Sequence, residues 1–115
     1  MVAERAQTSC PPLTYNPVVE EAAEAVNRST DEYLSHAASQ VPITDPRDGL
    51  RELGYEGQSV HLLQGAHRSA ELSIKGAILE GYDAIPDCSF TDFGVSSRMN
   101  TDKGYYLTAV LLAGP

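Results

Sequence analysis

The chain has 115 residues with 8 Lys and Arg against 16 Asp and Glu, a formal net charge of −8. So few cations, scattered along the chain, form no basic cluster for phosphate, which argues against nucleic acid as a partner and equally against an anionic membrane surface. With 42% hydrophobic and 21% charged residues, no repeat and no low-complexity stretch, the composition is that of one globular domain. No run approaches the roughly 18 apolar residues of a transmembrane segment, and the N-terminus lacks a basic stretch followed by an apolar one.

Residues 1–9 are polar and aperiodic and are expected to be a mobile lead-in, with a single domain over 10–115. Cys10-Pro11-Pro12-Leu13 must run extended, because each proline pushes the residue before it out of the α region. Asn16-Pro17 then reads as a helix start, with Asn16 as N-cap and Pro17 at the first helical position. Val19, Ala22, Ala23, Val26, Thr30, Tyr33 and Leu34 recur at three and four, so they predict the buried stripe of a helix of about twenty residues. Glu20, Glu21 and Glu24 read as its solvated face. After Ser35-His36 the pattern breaks and Val41-Pro42-Ile43-Thr44 is expected to be extended. Asp45-Pro46 predicts a second, short helix with Leu50 and Leu53 inward and Gly54 as its left-handed stop.

Ser59 to Leu63 predicts a short strand, and Gly65 to Arg68 a turn into a third helix capped by Ser69 and carrying Leu72, Ile74, Ala77, Ile78 and Leu79. Gly81 to Pro86 is an irregular approach to a final hairpin. Its first strand is read in Asp87 to Val95, its turn in Asn100 to Gly104, and its second strand in Tyr106 to Leu112, almost wholly apolar as expected at the middle of a sheet. The order of elements suggests an α+β fold, an α-β-α sandwich with a small, mainly antiparallel sheet covered by helices on both faces.

Cys10 and Cys88 are compatible with two buried thiols, a metal pair or one disulfide. Neither has a second Cys or His at ligand spacing, which disfavours zinc. Each lies beside turn-forming residues, which suits a bridge between a terminal segment and the sheet. A disulfide implies an oxidising compartment, secreted or in the cell envelope, with a signal peptide already removed.

Several segments together resemble the CAP superfamily, the group that includes cysteine-rich secretory proteins, venom-allergen antigens and plant pathogenesis-related proteins. Phe90-Thr91-Asp92-Phe93-Gly94-Val95 and Tyr105-Tyr106-Leu107-Thr108 are similar to that family's closing strands, and Gly81-Tyr82-Asp83-Ala84 stands where the family has Gly-His-Arg-Ala. Upstream, Pro12 to Pro17 resembles the family's approach to its first helix, Leu34-Ser35-His36 its Phe-Ser-His, and Gly54-Tyr55 its Gly-Tyr before the central strand. The resemblance implies an α-β-α sandwich and, usually, secretion with disulfides.

In that family a central cleft typically carries two histidines and two acids. The matching positions fall here near Asn27-Arg28, at Val60-His61 and at Tyr82, with no histidine at either family His position and no carboxylate at Val60. A metal held by such a tetrad is therefore not expected, and no cofactor is implied. Arg28, His36, Val60, His61 and Tyr82 are the expected lining of a degenerate cleft. Such a lining, apolar walls with a few polar points, suits a small apolar molecule or lipid, and surface loops offer a protein partner an alternative. The missing histidines weigh against an enzyme; the catalytic alternative is a hydrolase or peptidase using His36 or His61 as base. A third reading is a structural or host-interaction surface protein without a ligand pocket. Adjacent Ser35 and His36 with Asp45 do not by spacing orient a triad. The glycines are too widely spaced for a phosphate cradle, and His67-Arg68 reads as a plain loop.

Overall fold

The longest helix begins where Asn16 meets Pro17. The Asn16 Oδ1 accepts from the backbone N–H of Val18 at 2.9 Å and of Val19 at 3.4 Å, satisfying donors that a helix start leaves open. The structure is a computed structural model that describes residues 9–34, 46–81, 84–101 and 103–115. This helix, α1, spans Pro17–Leu34, and its inward stripe is Val19, Ala22, Ala23, Val26 and, unforeseen from apolarity, Asn27. Tyr33, expected inward, is 43% exposed at the far end of the helix. The expected lead-in up to residue 8, the extended stretch 41–44, the Asp45 cap, Ser35-His36 and Tyr82-Asp83 lie outside the described residues.

Helix α2, Arg47–Glu52, follows Pro46, which occupies the cap position itself rather than the first helical one. Leu50 is buried as expected, whereas Leu53, just past the helix, is turned to the surface. Gly54 follows at φ +92°, the left-handed conformation that ends helices at low steric cost. Helix α3, Ala70–Glu80, is capped by Ser69, whose side chain accepts from the Leu72 N–H. Leu72, Ile74 and Leu79, expected inward, are all exposed; its fully buried face is Ser73 and Ala77. Small residues are required there because Gly65 passes beneath: a Cβ at Gly65 would overlap the Ser73 carbonyl.

Four strands form one sheet: β1, Thr14–Tyr15; β2, Ser59–His67; β3, Asp92–Asn100; and β4, Tyr105–Gly114, in the order β1-β3-β4-β2. β2 and β3 each run antiparallel to β4, while β1 lies parallel to β3. β2 therefore continues through Gly65-Ala66-His67 where a turn was expected, and β3 begins later than Asp87, after a series of turns. β4 is central, and Leu107 through Ala113 are all buried.

Successive strand residues point to opposite faces. Leu111 and Ala113 meet α1, Leu50 of α2, Val60 and Leu62 on one side. Val110 and Leu112 meet Ala77 of α3, Leu63, Ile85 and Phe90 on the other. The fold is thus α+β, with α1 and α2 on one face of a mainly antiparallel sheet and α3 on the opposite face.

Candidate functional site

Three of the five residues expected to line a cleft fall among the described residues, and of these Val60 and His61 lie together while Arg28 stands apart. Arg28 is exposed on α1. Val60 is half-buried against the α1 side of the core, while His61, next in the strand, faces the α3 side with its ring 6.1 Å from that of Phe90. His36 and Tyr82 lie outside the described residues. Val60 and His61 do share an open groove of about 410 Å³ along the outer rim of β2, with Pro46, Leu62 and Glu80 as further lining. On that rim the Glu80 carboxylate accepts from the Gln64 N–H at 3.3 Å.

Of Asn27 and Arg28, near which a cleft position is expected from the sequence, Asn27 is committed to the fold. Its side chain is 1% exposed, and its Nδ2 donates to the Leu107 carbonyl at 2.8 Å and the Ser96 carbonyl at 3.3 Å. One turn on, Asp31 holds Arg98 of β3 through Nε at 3.1 Å and accepts from the Asn100 Nδ2 at 2.7 Å. These contacts fix one flank of α1 above β3. At the other end Gly94 makes the approach possible: a Cβ there would overlap the backbone of Glu20.

Between that flank and β3 runs an open groove of about 630 Å³, within the size range of ligand sites. Pro17, Glu20, Glu21 and Glu24 form its helix wall, and Val95 through Met99 its strand side. Glu20 also accepts from the Tyr15 hydroxyl, whose ring meets Phe93 edge-on at 6.0 Å. The three glutamates are therefore more than a solvated face: with β3 they make an acidic groove. Periodicity alone does not disclose it, because the groove needs β3 placed beside the helix.

A further polar pair lies where Tyr55 donates to Asp92 at 2.6 Å. Burial of the phenol, then the hydrogen bond and the negative charge of Asp92, push the Tyr55 pKa well above that of an ordinary tyrosine. Cys10 and Cys88 form a disulfide with Cα atoms 5.3 Å apart, joining the segment before β1 to the turns before β3. Among the described residues no three His, Cys, Asp or Glu side chains gather as a metal site, and no helix is long and apolar enough to cross a membrane.

This arrangement, helices on both faces of a four-stranded sheet with a disulfide tying the segment before β1 to the turns before β3, is a small α+β sandwich. Two solved structures share it. An outer surface protein of Borrelia burgdorferi superposes with a TM-score of 0.72 at 12% identity, over 98% of this chain and 85% of that one. An extracellular protein of Bacillus anthracis strain Ames that contains an SCP domain superposes with a TM-score of 0.64 at 18% identity, over 96% of this chain and 36% of that one. The chain thus spans about a third of the length of the second structure. No family model and no curated protein matches the sequence. At these identities the likeness is one of fold.

Proposed function

We propose that the chain is a secreted or cell-surface CAP-like domain, a single unit over residues 10–115, that binds a protein partner and does not catalyse a reaction. The observation that carries this reading is the acidic groove, which is open and lined by three glutamates and two serines, with its cation, Arg98, paired to Asp31. Such a lining suits a polar macromolecular surface better than an apolar small molecule. The disulfide and the extracellular or surface setting of both structural neighbours support placement outside the cytoplasm. The commitment of Asn27 to the sheet backbone supports a non-catalytic role, since near Asn27-Arg28, where the resemblance leads one to look for a cleft histidine, a structural amide stands.

The rim groove of β2 favours a second reading, a site for a small apolar molecule or lipid, because Val60 and Leu62 supply apolar walls and His61 a polar point. Native and denaturing mass spectrometry of the purified oxidised chain separates the two. The protein-binding reading expects a native mass equal to that of the polypeptide; an apolar adduct lost on denaturation would replace it with the second reading.

A further inference from the structure

The sheet has one rim that β1 covers only briefly. The pairing of β1 with β3 is limited to Thr14 with Asp92 and Tyr15 with Phe93, after which the chain leaves into α1. The Phe93 carbonyl accepts from the Asn16 N–H at 3.0 Å, so the backbone of Phe93 faces outward, away from β4. By the alternation of a strand, the N–H and C=O groups of Val95, Ser97 and Met99 face the same way. Among the described residues no strand pairs with them. These are the residues that border the acidic groove. An exposed edge of this kind is a template for an added strand.

We propose that the β3 rim from Val95 to Met99 docks a basic, extended segment of a partner protein, which joins the sheet as a strand beside β3. The proposal rests on the protein-binding reading above and specifies its partner. In an added strand, alternate side chains point toward α1, where Glu20, Glu21 and Glu24 stand, so those positions take Lys or Arg. The intervening side chains lie on the other face, next to Val95 and the 42% exposed Met99, and are apolar. A second copy of this chain is a poorer occupant, because pairing the two rims would bring the two glutamate walls together in a protein of net charge −8. The opposite rim, on β2, is already engaged at Gln64 by Glu80.

The test uses three short peptides: alternating Lys and Val, alternating Glu and Val, and the Lys-Val peptide N-methylated at every second amide. The Lys-Val peptide is expected to bind and the other two to fail. Glu21→Lys with Glu24→Lys, both at exposed positions, should weaken its binding roughly tenfold. Amide hydrogen exchange at Val95, Ser97 and Met99 should slow in the complex. Equal binding of the N-methylated peptide would overturn the proposal in favour of charge attraction without strand addition. A dimer of the free chain dissolved by Ser97→Pro would overturn it in favour of self-association. Failure of every peptide, with a native mass free of adduct, sinks the docking rim and leaves the protein-binding reading standing; an apolar adduct sinks that reading itself.

Discussion

Asn27 shows how much one side chain can be asked to do in a helix whose buried stripe is otherwise alanine and valine. Its amide bridges carbonyls of β3 and β4 from a fully buried position, so Asn27→Ala should remove those bonds, leave the carbonyls only their ladder partners and a cavity beside them, and cost about 1–3 kcal/mol, read from urea unfolding. Spacing rules locate the buried stripe around it but weigh apolar residues, so a polar residue on the inward side carries no signal until its partners on β3 and β4 are in place. Tyr55 and Asp92 behave likewise, being distant in sequence and joined only by the fold. Because the folded pKa of Tyr55 lies above that of an unfolded tyrosine, its contribution is fully present below about pH 10 and is lost as pH rises beyond that. Tyr55→Phe is expected to cost about 1 kcal/mol at neutral pH and to reduce the alkaline fall in stability, measured by denaturation across the pH range.

Between elements, close approach is set by glycine. Gly94 lets α1 settle on β3, and Gly65 lets α3 settle on β2. Gly94→Ala and Gly65→Ala should each destabilise by about 1–3 kcal/mol through overpacking against backbone, seen as lower thermal midpoints. Gly94→Ala should also widen the acidic groove, whereas Gly65→Ala, on the other face, should leave peptide binding at the β3 rim unchanged. Helix starts were legible in the sequence, because Asn16-Pro17 and Ser69 carry local chemistry. The inward face of α3 was not: Leu72, Ile74 and Leu79 surround the helix with apolar side chains, and only the neighbouring Gly65 decides which side is buried. β1 escaped notice because two residues between prolines have no period of their own, and their pairing with β3 is long-range.

At the scale of the whole molecule, the layered α+β arrangement follows from features a sequence displays: an amphipathic first helix, an apolar final strand and a hairpin turn between breakers. The groove does not, since its helix wall and its strand side come from opposite ends of the chain. The disulfide closes a separation of 78 residues, for which chain entropy gives a stabilisation of about 4 kcal/mol. Reduction should therefore lower the urea midpoint sharply, and two thiols should become titratable on unfolding. The same bridge also sets the path of mechanical load. A pull on the chain ahead of Cys10 would otherwise peel the short β1 away from β3 and then unwind α1 from its capped end. With the bridge closed, tension crosses at Cys10 to Cys88 and enters the sheet through β3, beside the central strand. Held at that point against flow or a tugging partner, the oxidised domain should keep the chain between Cys10 and Cys88 out of the load path and release only what lies outside it, whereas the reduced domain should release the whole length, a difference in extension that single-molecule pulling would display directly.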